Sequence, residues 1–148
     1  MKFKSYDVVF AEHPDYISLA FEITQCPYAC PKCHTPELQT DIGQELSLPR
    51  FRKILEQYSW YVQNIIFLGG DQHKEELISL LKEVKKFDLK ATLWTGSNKI
   101  DTEVYILLDF LKTGEYNEYN GGLGSPTTNQ RYINTKTNEN ISLHKGNI

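Results

Sequence analysis

The sequence predicts an α/β fold with a mostly parallel sheet, on three observations. Apolar, β-branched runs alternate with amphipathic stretches along most of the chain. The later apolar runs each end in a glycine turn, at Gly69-Gly70, Thr95-Gly96 and Thr113-Gly114. No internal repeat, linker or low-complexity run divides the 148 residues, so a single domain over 1–148 is expected. Strand, helix, strand, helix, strand is the order of βαβ units, and such units build parallel sheets.

Residues 6–10 read as a first strand, and His13-Pro14-Asp15 as a turn. Residues 17–23 alternate apolar with small or polar side chains, as a half-buried strand does. A cysteine-bearing loop follows directly. Ser47 is placed to cap a helix that has Pro49 in its first turn. Phe51, Ile54, Leu55 and Tyr58 then form an i, i+3, i+4, i+7 stripe. Tyr58, Trp60 and Tyr61 are expected at the edge of the core.

Residues 62–68 form an apolar run that predicts a buried strand. The stretch 74–87 is amphipathic, with Leu77, Ile78, Leu81 and Val84 inward and Lys82, Lys85 and Lys86 on a solvated face. A strand is expected over 90–94, a short helix over 101–107, and a strand over 108–112. A Gly- and Asn-rich loop spans 116–129, and a last strand is expected over 131–136. In parallel sheets ligands bind at the carboxyl ends of the strands. The cysteine loop and the three glycine turns all follow strands, so one rim is expected to gather them.

Composition narrows the function classes. Hydrophobic residues make up 40% and charged residues 24%, ordinary values for a soluble globular protein. A formal net charge of −3 gives no bulk electrostatic case for nucleic acid or an anionic membrane. The first residues lack the apolar core of a signal peptide. No apolar run approaches the roughly 20 residues that span a bilayer. A cytoplasmic location, with no nucleic-acid and no membrane partner, is therefore the expectation.

The cysteines carry the chemistry. All three lie in Cys26-Pro27-Tyr28-Ala29-Cys30-Pro31-Lys32-Cys33-His34, a C-x3-C-x2-C pattern. An odd, clustered set without an export signal argues against a disulfide framework. Three thiolates on one tight loop can hold three irons of a cubane cluster and leave the fourth without a protein ligand. An open iron suits the binding of a substrate through it. Three other readings compete. A structural zinc could take the three cysteines and a histidine, but His34 is adjacent to Cys33, and His13, His73 and His144 sit in no paired ligand motif. Cys30 to His34 also matches C-x-x-C-H, the c-type haem signature, although such haem is attached outside the cytosol. Buried inert thiols are the third, and the Pro and Lys between the cysteines do not look like core.

The motif and its position after the first core strand resemble the radical S-adenosylmethionine (SAM) superfamily. That resemblance implies a full or partial (βα) barrel. ITQCPYACPKCHTPEL, FLGGD, LWTG, LKTGEY and GGLGSPTTNQRYI, in that order, resemble one branch in particular: the activating proteins of anaerobic (class III) ribonucleoside-triphosphate reductase. The likeness runs over about residues 6–133, and the SPTTNQR segment points to the branch.

The resemblance implies Cys26, Cys30 and Cys33 as ligands of a [4Fe–4S] cluster that cleaves SAM. Lys32 and His34 match positions whose main chain lies near the SAM adenine, and many superfamily members have an aromatic residue where Lys32 stands. Gly69-Gly70-Asp71 matches a Gly-Gly-acid motif, with Asp71 placed to accept from the SAM ammonium. Alone, that tripeptide would read as a strand-ending turn. Thr95, with Gly96, is placed to touch the ribose or methionine part of SAM, a plain turn being the other reading. The loop from Asn120 to Ser125 and on to Arg131 reads either as a cover or docking surface or as ordinary surface.

The implied activity is that of a glycyl radical activase. A 5′-deoxyadenosyl radical would take a glycine Cα hydrogen from the reductase, with flavodoxin or a similar protein supplying the electron. A chain this short has little room for a separate substrate domain and no cysteines for further clusters, which suits a partner that inserts its own glycine. Activation of a different glycyl radical enzyme, or a zinc-stabilised binding module without catalysis, are the alternatives.

Overall fold

The computed structural model describes residues 1–24, 42–114, 119, 123, 125 and 128–142. Seven strands form one sheet in the order β3-β1-β2-β4-β5-β6-β7. They are β1 (Lys2–Val9), β2 (Ser18–Ile23), β3 (Gln44–Glu45), β4 (Asn64–Leu68), β5 (Lys90–Trp94), β6 (Phe110–Thr113) and β7 (Arg131–Asn134). The helices are α1 (Leu48–Tyr58), α2 (Lys74–Lys86) and α3 (Thr102–Tyr105). The centre of the sheet, β2-β4-β5-β6, is parallel throughout. The flanks are antiparallel: β1 against β2 and β3, and β7 against β6.

Local chemistry accounts for most boundaries. The Ser47 side chain accepts from the Arg50 amide at 3.3 Å and starts α1, with Pro49 in the first turn. Asp101 caps α3 by accepting from the Glu103 amide at 2.9 Å. Asn134 ends β7 two residues sooner than the apolar pattern suggests. Its side chain accepts from the Lys136 amide at 2.9 Å and turns the chain back.

Four features depart from the sequence reading. β6 begins at Phe110 and not at 108, because the Leu108 amide still donates to Tyr105 O in the turn after α3. β1 starts at Lys2, because its first residues pair with β3 on one side and β2 on the other. β3 has only two exposed residues, too few to show a period. Trp60 is 80% exposed and not at the core edge. It lies in the turn after α1 with its ring edge-on to Tyr61, whereas Tyr58 and Tyr61 do pack on the core.

Strand alternation divides the sheet into two faces. One presents Leu19, Phe21, Ile23, Ile65, Phe67, Ala91, Leu93 and Leu111 to the helices, and the stripe of α1 and the inward residues of α2 close over it. Phe21, Phe51 and Phe67 meet at centroid distances of 5.3–5.9 Å. The other face is polar at its amino-terminal end. Asn64 there donates to Ser18 Oγ at 3.1 Å and accepts from Thr92 Oγ1 at 2.8 Å, tying β2, β4 and β5. The β1–β2 connection covers this end. Its buried His13 packs with tilted rings against Phe110 at 4.3 Å and Tyr16 at 4.8 Å.

Glu83 fixes α2 to α1. Its side chain is only 4% exposed and accepts from Arg52 Nε at 2.7 Å, with Lys86 at 3.4 Å. The Arg52 guanidinium holds the Glu83 carboxyl below the usual carboxylate range. A carboxyl lowered in the folded state contributes stability that is present above its unfolded pKa and lost as pH falls through the folded one. Glu83→Gln should therefore cost stability at neutral pH. The gap from wild type should close as acid denaturation is approached, measured by urea melts across pH 3–7. A gap independent of pH would assign the loss to packing.

Candidate functional site

Register brings the strand ends together. Glu22, Leu68, Trp94 and Lys112 are successive partners across β2, β4, β5 and β6, and Tyr132 on β7 pairs with Lys112. Directly paired residues share a face, so these five side chains form one rung on the face turned away from the helices. The rung lies at the carboxyl end of the parallel strands. Above it the chain leaves each strand through a segment named in the sequence reading.

After β2 the chain runs through Thr24, which is fully buried; its amide donates to Lys2 O at 3.0 Å. Cys26, Cys30, Cys33, Lys32 and His34 lie outside the described residues. Their segment begins immediately beyond Thr24, at this same edge.

After β4 come Gly69 and Gly70, with φ of +95° and +112°. Side-chain-bearing residues rarely adopt such values, so the two glycines make the turn possible. The Gly69 amide donates to Trp94 O at 2.8 Å, which extends the β4–β5 ladder into the turn. The Gly70 amide donates to Gln72 Oε1 at 3.2 Å, and Gln72 Nε2 reaches Thr24 O at 3.5 Å. Gln72 thus links the glycine turn to the root of the cysteine segment. Asp71 is half-buried, and its carboxylate has no hydrogen-bond or ion-pair partner among the described residues. His73 opens α2, with its Nε2 shut off from solvent and without a partner among the described residues.

After β5, the Thr95 amide donates to Lys112 O at 2.9 Å. The Thr95 hydroxyl accepts from the Ser97 amide at 3.0 Å and closes a strand-end turn. The hydroxyl proton is left for another acceptor. After β6, Gly114 O accepts from Gln130 Nε2 at 3.2 Å. Both ends of the late loop therefore stand at this edge, although most of 115–127 lies outside the described residues. Arg131 is exposed and pairs with Thr113.

Sequence reasoning missed Glu22, Trp94, Lys112 and Tyr132. The signal was present in the two-residue period of β2, β5 and β6, whose alternate residues face away from the helices. Lys112 Nζ sits 4.5 Å from the centroid of the Trp94 ring, a cation–π contact. The Trp94 and Tyr132 rings meet edge-on at 5.7 Å. Glu22 lies 3.9 Å from Lys4 Nζ.

Among the described residues no group of three or more His, Cys, Asp or Glu side chains could hold a metal ion. His13 is held among aromatic rings at the far end of the sheet, where its Nδ1 accepts from the Asp15 amide at 3.1 Å. Soft thiolates are the donor set that iron–sulfur clusters require, and the chain's three are all in the segment rooted at Thr24. The glycine turn beside that root offers close backbone approach. The residues present thus fit a cluster at this edge.

Residues 17–133 match the family described as a 4Fe-4S single cluster domain. The chain belongs to this family. The match runs from the start of β2 into β7 and encloses the cysteine segment, Gly69-Gly70-Asp71 and Thr95. A comparison with curated proteins finds no match. A 4Fe–4S single cluster domain with three cysteines can give a cubane cluster three protein thiolates and leave one iron open. Among the described residues no helix is long and apolar enough to cross a membrane.

A Cβ on Gly70 would lie 3.1 Å from Met1 Sδ, on a backbone with φ +112°. Gly70→Ala should cost about 1–3 kcal/mol in urea denaturation, chiefly from the left-handed backbone, because the Met1 side chain can give way. A stability equal to wild type would mean that the turn relaxes without the glycine.

Proposed function

We propose that this iron–sulfur protein is a radical SAM activase that makes the glycyl radical of an anaerobic ribonucleoside-triphosphate reductase. The observation that carries the reading is the meeting, at one edge, of the root of the C-x3-C-x2-C segment and the Gly69-Gly70-Asp71 turn. The four parallel strands with their helices on one face are read as the core of a partial (βα) barrel. A location in the cytoplasm goes with the reading.

When bound, a [4Fe–4S] cluster with one open iron supplies a chelating site for the amino and carboxylate groups of SAM and one electron that splits its S–C5′ bond into methionine and a 5′-deoxyadenosyl radical. The residues have separate tasks. Cys26, Cys30 and Cys33 would hold three irons. Asp71, a carboxylate without a partner among the described residues, would accept from an N–H of the SAM amino group, a charge-assisted bond. Gly69 and Gly70 let backbone approach the ligand, while main chain at Lys32 and His34 would lie along the adenine and Thr95 near the ribose or methionine.

The partner's glycine then loses its Cα hydrogen to the radical, giving 5′-deoxyadenosine and a glycyl radical. A flavodoxin-like donor would return the electron. The late loop starts and ends at the same edge and carries Ser125, Thr127, Thr128 and Asn129, uncharged hydrogen-bonding groups suited to an incoming peptide whose amides lose water, while Gln130 is buried and anchors the loop to Gly114 O.

Two measurements test this. Anaerobic protein incubated with SAM, dithionite and the reductase should develop a glycyl radical signal in electron paramagnetic resonance. Replacing Cys26, Cys30 or Cys33 by Ala should abolish it. Colourless protein with stoichiometric zinc would overturn the reading, and a signal on a formate-lyase type enzyme alone would move it to a different glycyl radical partner. Separately, Asp71→Ala should weaken SAM binding by about 1.5–3 kcal/mol with cluster content unchanged. An unaltered SAM affinity would leave Gly69-Gly70-Asp71 as a turn only.

A further inference from the structure

A side chain that the reading above does not use, Gln72, bridges the glycine turn and the root of the cysteine segment. Its Oε1 accepts from the Gly70 amide at 3.2 Å, and its Nε2 reaches Thr24 O at 3.5 Å. The first of these bonds closes a small ring from Gly70 to Gln72, and the backbone of Asp71 is held inside it. The second ends at Thr24, two residues before Cys26 in the sequence.

The post on which the bridge rests is fixed. Thr24 is fully buried, and its amide and hydroxyl both donate to Lys2 O, at 3.0 and 3.3 Å. Ile23, the last residue of β2, lies against both glycines: a Cβ on Gly69 or Gly70 would meet its atoms at 3.7–3.8 Å. Gln72 itself is exposed. Water competes for the bonds of an exposed amide, so they add little to stability. What they supply is geometry. A carboxamide accepts and donates at once, which neither a carboxylate nor an ammonium can do.

We propose that Gln72 is a positioning residue that sets the distance between the Asp71 carboxylate and the cluster carried by the cysteine segment. The proposal rests on the radical SAM reading. On that reading the amino group of SAM binds the open iron and donates to Asp71, so the two must stand a fixed distance apart. A ligand held at two points loses affinity when those points move against each other, because binding must then immobilise them. Gln72 acts through the Gly70 amide and the Thr24 carbonyl and not through the ligand.

Two variants test the bridge. Gln72→Met keeps the length of the side chain and removes both bonds. Gln72→Glu keeps an acceptor for the Gly70 amide and removes the donor to Thr24 O. The carboxylate it adds would by itself favour a cationic ligand, so a loss of affinity in that variant belongs to the bridge. SAM binding is measured by equilibrium dialysis against anaerobically reconstituted protein and expressed per cluster, from iron and sulfide content. Both variants should match wild type in urea stability and cluster content and bind SAM about three- to tenfold more weakly, the scale of one or two hydrogen bonds.

Wild-type affinity per cluster in both variants would overturn the proposal. A loss in Gln72→Met alone would confine the side chain to the turn and overturn the bridge. Lowered stability or cluster content, with normal affinity for each cluster that remains, would make Gln72 a structural residue and overturn it as well. If the wild-type protein binds no SAM, the radical SAM reading itself falls, and the proposal with it.

Discussion

The common register of β2, β4, β5 and β6 is the constraint on which the rest depends. Each parallel strand is level with its neighbour at Glu22, Leu68, Trp94 and Lys112, each at its strand's end or one residue before it. Segments far apart in sequence therefore leave the sheet along one line. The ladder does not stop abruptly there: Gly69 still donates to Trp94, and Thr95 to Lys112. Those bonds hold the turns against the sheet, so the groups above the edge start from a rigid base. Precision of this kind is easier to build on strands than on free loops.

The same strands separate stability from chemistry by alternation. Residues facing the helices are apolar and form the core, with three phenylalanines at its centre. Residues facing the other way are free to be polar. Near the amino end they pair with each other, as Asn64 does with Ser18 and Thr92. Near the carboxyl end Trp94, Lys112 and Tyr132 pack on one another. A buried polar network that is complete stiffens the fold.

Much of this was legible in the sequence. The alternation of strands and helices, the Ser47 cap, the inward stripes of α1 and α2 and the glycine turns all follow from local periodicity and backbone chemistry, and each lies where those rules put it. The three cysteines identify thiolate chemistry by their spacing alone. Other features needed the tertiary structure. Two exposed residues cannot announce a strand, so β3 emerges only from pairing with β1. Trp60 carries no local mark of exposure, because burial depends on what packs over the turn. The rung of Glu22, Trp94, Lys112 and Tyr132 was out of reach for a deeper reason. A strand's own sequence shows which residues share its face, but the level at which neighbouring strands align is set by hydrogen bonds between segments distant in the chain.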